Sequence, residues 1–504
     1  MNPMSGISPS VSAACGAALV FYGSRLGMFP LRGPISFYQG LLIILVILVG
    51  LLWSMEMPLE QDLQRRIRYY SRLIIALGVG SSIGLVSLLW EKQNSFIPPM
   101  QIESIQKVQL TMMTDLRLLP SGSLGGQARV QFCEDSRGVR ISSRGVINLM
   151  VTDNPDVLRN LAGQGSELIV DGHFASKKNG GGEAPAVQTF LARRVVKIKA
   201  PLGFQNLRFA IRKVIVRSLR DQPWGGLAAA LLLGVRDDLN QDVITLYRRS
   251  GSSHVLALSG MHLGILAGLL AFLLRKPLGV SLAAVVSLAV LICYVSLAGF
   301  QPSLTRSLIM YTLIMFCFFK GITASFLSPI AISFLIQLSV DPMGMASLSA
   351  MLSYLALTGI VLLGPPIVDV IKGWVPQPFA GAFATSLGAF IATAPLVVSS
   401  FGVLYPIGIV VGAFLGLIAA SVMLVSILYV SIYLWVPLVS PIVGSILTIL
   451  YNANLTLLRC SAALSVQVNT VNWALAGLLS LAMAGLFVYG QYRGKAKRSI
   501  SAFN

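Results

Sequence analysis

Long runs of apolar residues recur along this chain and restrict the folds that it can adopt. The runs at 35–54, 73–90 and 407–430 reach the roughly 18 to 20 residues that an α-helix needs to cross a bilayer. The 504-residue chain is 55% hydrophobic and only 11% charged, so it lacks the polar residues that a soluble surface of this size needs. The sequence therefore predicts a polytopic α-helical membrane protein.

Basic residues between the apolar runs predict how the chain is threaded through the membrane. Lys and Arg concentrate in cytoplasmic loops, and the basic clusters alternate with the spans as that rule requires, except that Arg25 and Arg32 fit it less well. Residues 1–95 are predicted to hold two or three spans, at 35–54 and 73–90 with a shorter segment at 12–22. A membrane core over 251–492 is predicted to hold about nine spans, near 254–274, 278–298, 303–319, 322–340, 345–363, 380–400, 407–430, 431–450 and 471–490. The basic tail 493–504 is predicted to be cytoplasmic, and residues 96–200 extracytoplasmic.

The composition changes between residues 96 and 200, where glycine and charge rise and the apolar runs shorten. Alternation of apolar and polar residues predicts strands at 104–110, 128–132, 146–151, 167–174 and 187–199. About five short strands indicate a small all-β domain, and the pattern fits an OB-like barrel and a β-sandwich equally well. This domain has 13 Lys and Arg residues against 9 Asp and Glu residues, a mild surplus that permits nucleic-acid binding.

A basic amphipathic helix is predicted at the start of the next segment, residues 201–250. Phe204, Leu207, Ile211 and Ile215 follow helical spacing, and arginines lie between them. Such a helix is typical of segments that lie on the membrane surface. We favour anchoring of its arginines to anionic headgroups, and the alternative is a basic collar beside a pore.

Two of the three histidines lie in one polar motif at the start of the predicted membrane core. The motif contains His254, Ser259, Gly260 and His262, and its other residues are mainly apolar. Polar groups at membrane depth are costly unless they find partners or line a water-filled cavity. Close helix packing through the small Ser and Gly residues is the competing interpretation. The clustering favours a lined pathway, with both histidines flanking one cavity from a continuous helix.

Three further polar positions are candidates for the same pathway. Ser303 and Arg306 open one apolar span, and Asp341 follows another. Because arginine stays charged inside proteins, Arg306 must reach the interface, find a counter-charge or face water. In a cavity its guanidinium can bind phosphate through paired hydrogen bonds. Snorkelling of Arg306 to the interface is the alternative.

We expect neither enzymatic chemistry nor a bound metal or cofactor. Ser259 and His262 are neighbours one helical turn apart, but the GxSxG motif of a serine nucleophile is absent because Ala257 replaces its first glycine. The chain has 3 histidines and 5 cysteines, with no CxxC pair, so a zinc site is not expected.

Several motifs resemble those of one known family. Residues 230–236 read ALLLGVR, similar to the element ALLLGDR, with Val235 in place of the acid. Residues 253–262 read SHVLALSGMH and resemble HLLAISGLH. Further matching elements are Pro302-Ser303 with Arg306, Asp341-Pro342 before Leu352-Ser353, and ATAPL at 392–396 before Phe401-Gly402. On these residues, from about Leu227 to Trp473, the chain resembles the ComEC competence family, the inner-membrane DNA-uptake channels of bacteria.

The resemblance implies a function, a location and partners. It implies a channel for single-stranded DNA in the bacterial cytoplasmic membrane that acts in natural transformation, and it favours the OB-like form of the β domain. The residues that would line the channel or contact DNA are His254, Ser259, Gly260, His262, Ser303, Arg306 and Asp341. The implied partners are single-stranded DNA, membrane lipids, a DNA receptor, a cytoplasmic helicase or translocase, and a separate nuclease. The metallo-β-lactamase-like domain of longer members is not expected here, because the sequence ends soon after Arg498.

Two other functions are compatible with the same sequence. The net charge of +19 follows either from cytoplasmic loops or from a polyanionic ligand, so it does not by itself indicate DNA. One alternative is export of a lipid or small solute by a protein that shares the fold, because fold does not fix function. A second, less favoured alternative is an intramembrane serine hydrolase built on Ser259 and His262.

Overall fold

The computed structural model describes two largely helical regions with a sheet between them in sequence. The described residues are 9–25, 63–94, 96–119, 122–153, 158, 161–175, 188–201, 203–322, 326–373, 376–464 and 468–469. The helices are α1 (Pro9–Arg25), α2 (Leu63–Asn94), α3 (Phe204–Arg220), α4 (Gly225–Leu233), α5 (Gln241–Arg249), α6 (Gly260–Ala298), α7 (Pro302–Lys320), α8 (Leu327–Val340), α9 (Pro342–Met345), α10 (Leu348–Ile371), α11 (Gln377–Phe401), α12 (Gly408–Trp435) and α13 (Ser440–Ala463). The strands are β1 (Ile105–Met112), β2 (Arg117–Leu118), β3 (Leu124–Asp135), β4 (Arg140–Ser142), β5 (Val146–Val151), β6 (Glu167–Phe174), β7 (Thr189–Lys199), β8 (Val403–Leu404) and β9 (Val468–Asn469).

Seven of the described helices are long and apolar enough to cross a membrane, which confirms the predicted polytopic fold. They are α2, α6, α7, α10, α11, α12 and α13. A shorter helix, α1, forms over the predicted apolar segment 12–22. The predicted spans at 35–54 and 471–490 and the basic tail 493–504 lie outside the described residues.

Helix α6 has 39 residues, or about 58 Å at 1.5 Å per residue, roughly twice the thickness of a hydrocarbon core. Gly279 interrupts it with a left-handed φ of 72°, two residues after Pro277. The hydroxyl of Ser303 donates to the carbonyl of Leu258 at 2.5 Å, so the chain before α6 meets the chain after it. Helix α6 is therefore a pair of antiparallel arms, in agreement with the two spans predicted at 254–274 and 278–298.

One predicted span is displaced because of prolines. Helix α12 continues to Trp435, five residues beyond the predicted end at 430. Pro437 then disfavours a helical conformation for the residue before it, and the next helix begins at Ser440 with Pro441 in its first turn. The span predicted at 431–450 is thus found as α13.

Close approach of helices depends on glycine at two crossings. A side chain on Gly80 of α2 would collide with the backbone carbonyl of Ala13 in α1. A side chain on Gly359 of α10 would likewise collide with the carbonyl of Gly388 in α11. Small residues at such crossings let helix backbones approach in a membrane, where lipid is as apolar as the helices themselves.

The β domain is a closed barrel. Strand β1 pairs with both β3 and β6, while β5 pairs with β3 and, in parallel, with β7, which returns to β6. Each of these five strands therefore has at least two neighbours, and the closed sheet excludes the β-sandwich. The predicted strands 146–151 and 167–174 coincide with β5 and β6. Its core is filled by inward-facing apolar residues, among them Val108, Leu149 and Phe190.

Helix α3 joins this barrel to the membrane core. Arg208 donates from Nε to the Ser296 carbonyl of α6 at 2.8 Å, and its Nη2 lies 2.7 Å from the carboxylate of Asp115 in the barrel. Arg212 donates from Nη1 to the carbonyls of Leu297 and Ala298, at 2.8 Å each. The side chains of Arg208 and Arg212 thus bind groups inside the protein, contrary to the prediction that they contact lipid headgroups.

The exposed face of α3 is apolar. Phe204, Leu207, Ile211 and Val214 are between 40% and 62% exposed, and their spacing places them along one side of the helix. The placement of this face on the membrane surface stays a prediction.

Candidate functional site

The polar motif contains a helix cap at Ser259. Ser259 has extended backbone angles, φ −127° and ψ 170°, and α6 starts at the following residue, Gly260. The Nδ1 atom of His262 accepts from the backbone N–H of Ser259 at 3.2 Å and lies 3.0 Å from its hydroxyl. Serine is a preferred residue at this position because its side chain can satisfy the free N–H groups of the first turn.

The cap fixes the proton on the other ring nitrogen of His262. Because Nδ1 accepts hydrogen bonds, the neutral imidazole carries its proton on Nε2. The side chain is fully buried, and Nε2 has no hydrogen-bond partner in the described part of the chain. An unsatisfied buried donor is costly, so His262 offers an N–H group to a ligand.

Arg306 lies at the start of α7, close to the cap. Its side chain is only 6% exposed, its Nη1 donates to the hydroxyl of Ser353, and its guanidinium lies 5.3 Å from the ring centre of Tyr354. Within the described residues, Nε of Arg306 has no hydrogen-bond partner, and none of the ion pairs found there includes Arg306. A side chain added to Gly260 would lie 3.6 Å from its Nη2. The guanidinium is therefore buried beside the cap without a described carboxylate.

A network of hydrogen bonds between uncharged groups surrounds Arg306. The hydroxyl of Tyr354 donates to Oε1 of Gln337 at 2.7 Å, and Nε2 of Gln337 donates to the carbonyl of Pro302 at 2.9 Å. Tyr354 also contacts the hydroxyl of Ser333 at 3.3 Å. We call Ser303, Arg306, Gln337, Ser353 and Tyr354 the polar cluster. It ties α7, α8 and α10 together at the start of α7.

The structure brings five of the seven predicted residues together and leaves two apart. Ser259, Gly260, His262, Ser303 and Arg306 are neighbours around the cap and the polar cluster.

His254 and Asp341 lie elsewhere. His254 is exposed in a 3-10 turn, Ser253–Leu256, and faces Gly412 of α12. It therefore does not share a helix with His262, contrary to the prediction of one continuous helix. Asp341 is exposed and caps the short helix α9, accepting from Gly344 N at 2.9 Å. No described hydrogen bond links either residue to Arg306.

The sequence interpretation missed Gln337 and Tyr354. Gln337 is a lone polar residue in the apolar run of α8, and such a residue within a span is a detectable signal. Tyr354 carried no signal, because tyrosine is common in membrane helices. Ser353 belongs to the Leu352-Ser353 element that follows Asp341-Pro342, and its sequence pattern gave no sign of a role beside Arg306.

The arrangement can bind an anion more readily than it can perform catalysis. Nε2 of His262 would need a carboxylate to orient it in a hydrolytic triad, and within the described residues it has no partner. The described residues also contain no group of three His, Cys, Asp or Glu that could hold a metal ion. What the site offers is buried N–H donors and a positive charge.

Comparison with known proteins gives a family match and one partial relative. The family model described as "Competence protein" matches residues 231–496. The chain is 35% identical over 114 residues to "ComE operon protein 3" of Bacillus subtilis (strain 168), an alignment that covers 22% of this chain and 15% of that protein. The alignment thus spans less than a fifth of the curated relative's length. No solved structure matches the chain.

Proposed function

The chain belongs to the competence protein family, whose model matches residues 231–496, and from that premise we propose that it acts in DNA uptake during natural transformation by carrying single-stranded DNA across the bacterial cytoplasmic membrane. The barrel is extracytoplasmic in this proposal, and the C-terminus is cytoplasmic. The strand contacts the buried donors around Arg306 on its way through the membrane. A DNA receptor, a cytoplasmic helicase or translocase and a separate nuclease are the proposed partners, and the chain itself performs no catalysis.

The observation that carries this proposal is the buried guanidinium of Arg306. Removing an ion from water costs several kcal/mol even after the protein relaxes, and a counter-charge normally offsets part of that cost. Arg306 is 6% exposed and lacks a described carboxylate partner. A phosphodiester passing this position would supply the negative charge, and the free N–H groups of Arg306 and His262 would bind its oxygens.

Uptake in a transformable host tests the proposal. The gene is expressed in a strain from which the host's own competence channel gene has been deleted, and labelled DNA is measured separately at the cell surface and in the cytoplasm. We expect surface binding in both strains and cytoplasmic delivery only when the chain is present. Delivery that is absent despite correct insertion would contradict the proposal and favour export of a lipid or small solute.

Variants of the cap separate a pathway from a nucleophile. We expect His262→Leu to lower delivery at least about tenfold, because it removes the hydrogen bond from Nε2 to the charged phosphate. Hydrogen bonds to charged groups contribute about 1.5–3 kcal/mol. His262→Gln should retain part of the delivery, since glutamine at this helix position can keep the cap and still offer an N–H group. Ser259→Ala should have a milder effect, the loss of a cap worth about 1 kcal/mol. The opposite ranking, with Ser259→Ala inactive, would indicate covalent chemistry at the serine.

A further inference from the structure

A cavity of about 110 Å³ lies where the barrel, α3 and the membrane core meet. Residues of all three parts line it, including Asp115 and Arg117 from the barrel, Arg212 from α3, and Val235 and Gln301 from the core. Gln301 immediately precedes α7, so the cavity lies five residues before Arg306, or about 7.5 Å along a helix. One lining residue of the cavity is therefore near the polar cluster along the chain.

Three arginines concentrate positive charge at this cavity. Arg117, Arg208 and Arg212 line the cavity; the side chain of Arg212 is 12% exposed, and Arg117 is exposed. Arg236 follows the lining residue Val235 in sequence but is not itself part of the lining. Burial lowers the pKa of Arg212, the carboxylates of Asp115 and Asp237 raise it, and the positive charges of Arg208 and Arg117 lower it further, so that the net shift is downward. Burial and the nearby Arg117 also lower the pKa of Arg236. Like charges are thus held close enough together to repel one another.

The acids at the cavity do not balance these arginines. The lining holds two carboxylates, Asp115 and Asp237, against the three arginines. Asp115 is shared by Arg208, whose Nη2 lies 2.7 Å from the carboxylate, and by Arg212, whose Nη2 lies 3.6 Å from it. Asp237 accepts from the backbone N–H of Leu118 at 3.1 Å. Between Gly234 and Arg236 the lining residue is the apolar Val235, so no further carboxylate enters there. A net positive charge in a narrow, partly enclosed space attracts anions.

We propose that this cavity binds a phosphodiester group of single-stranded nucleic acid, as a second phosphate site that the strand meets before Arg306. The inference rests on the proposed function for its ligand, whereas the cavity and its charges are observed directly. Arg117 contacts the phosphate from the lining, Arg212 contributes positive charge from the same lining, and Arg236, next in sequence to the lining residue Val235, adds positive charge outside it. The bound phosphate relieves the repulsion among the three arginines.

Thiol labelling at the cavity tests the charge of the site. Val235→Cys is introduced into the full chain after replacement of Cys15, Cys293, Cys317 and Cys460 by alanine. Cys133 is retained, because it is buried and burial raises its pKa to about 11, so that little reactive thiolate forms. The protein is reconstituted in nanodiscs and treated with a negatively charged sulfonate thiosulfonate reagent or a positively charged trimethylammonium one.

We expect the sulfonate reagent to react about tenfold or more faster than the trimethylammonium reagent at position 235, the low end of the effect of charge focusing in clefts. The double variant Arg117→Gln/Arg236→Gln should bring the two rates close together. The exposed barrel position Gln106→Cys serves as the matched control and should show no such preference. Equal rates for the two reagents at position 235 would overturn the proposal.

Protection experiments identify the ligand. A 15-mer of thymidine should protect the thiol of the Val235→Cys variant at low salt, and protection should fall as salt rises because phosphate contacts release counterions. Polyglutamate of equal charge should protect less, since carboxylates differ from phosphodiesters in geometry. Without added cysteines, Val235→Asp should weaken binding of the 15-mer relative to Val235→Asn, which has the same size and no charge. No protection by the 15-mer, or equal binding by the two variants, would refute the phosphate site.

Failure of this inference is distinguishable from failure of the proposed function. Protection of the thiol at position 235 reports occupancy of the cavity and needs no transport, whereas uptake in cells reports delivery. A protected cavity in a protein that delivers no DNA would leave the phosphate site intact and remove the transport function. Delivery of DNA without protection of the thiol would leave the transport function intact and remove the phosphate site.

Discussion

Arg306→Gln should abolish delivery of DNA to the cytoplasm while the protein stays inserted in the membrane. Glutamine keeps hydrogen-bonding capacity but removes the positive charge that would meet a phosphate at this buried position. A hydrogen bond to a charged group contributes about 1.5–3 kcal/mol, so we expect a loss of at least about tenfold. Arg306→Lys should restore part of the delivery, because lysine has the positive charge but lacks the planar guanidinium that forms paired hydrogen bonds. Cytoplasmic label is the measurement, at matched expression.

Two controls separate function from folding for Arg306. Arg249→Gln removes an exposed arginine from the end of α5 and should leave delivery unchanged. Arg306→Met should leave the midpoint of thermal unfolding unchanged or raise it, because an apolar side chain of similar length removes a buried charge that has no described carboxylate partner. A marked drop in this midpoint would show that Arg306 supports the fold, and normal delivery by Arg306→Gln would show that it only snorkels.

Asp115→Ala should release the barrel from the membrane core. The change leaves Arg208, whose side chain is 4% exposed, and Arg212, at 12%, without their carboxylate. Removing one partner of a buried ion pair lowers the free energy of unfolding by about 3–5 kcal/mol. We expect a loss near the lower end of this range, because Asp115 is 23% exposed. We expect a lower midpoint of thermal unfolding and faster proteolysis of the connection between β7 and α3.

Glu167→Gln is the matched control for Asp115→Ala. It breaks the ion pair with Lys199 on the barrel surface, where the distance is 3.3 Å and both side chains are more than a third exposed. Exposed pairs of this kind contribute about 0–1 kcal/mol, so stability should barely change. Equal effects of the two variants would contradict the role of Asp115 at the junction.

The Asp115 junction should also fail in acid. Burial raises the pKa of Asp115, but Arg212 and Arg208 lower it by more, so that its folded pKa lies below the ordinary value. Its contribution is therefore complete above the unfolded pKa of about 3.9 and is lost as the pH falls through the folded value. Asp115→Asn should remove this acid-dependent step from the unfolding midpoint, which can be followed between about pH 2 and pH 6.

The spans and the barrel strands could be read from the sequence because each has a local cause. Residues 146–151 and 167–174 alternate apolar and polar side chains, and these strands were found at the predicted positions. The arms of α6 were predicted from apolar runs on either side of Arg275 and Lys276. Closure of the sheet was not predictable from the alternation of apolar and polar residues. It depends on β1 pairing with both β3 and β6, two strands that are separated in sequence by β4 and β5.

The candidate site was only partly predictable, and the errors have a common cause. His254 and His262 were expected on one helix, but the extended backbone and cap of Ser259 start the helix after His254. Arg208 was expected at headgroups, yet its partners are Asp115 and the Ser296 carbonyl, both 88 or more residues away. In each case the local sequence pattern did not show which groups would surround the side chain.

The sequence by itself determined the fold class, a membrane protein of apolar helices with a small β domain, and the residues whose polarity in an apolar run demands a partner. Apolar length and periodicity act within a single element, and they carry that information in every short window of the chain. Only the tertiary structure decided that Gln337 and Tyr354 surround Arg306, that Asp115 joins the barrel to α3, and that arginines converge on one cavity. These contacts join residues distant in sequence, and they depend on how helices and strands pack rather than on any local pattern.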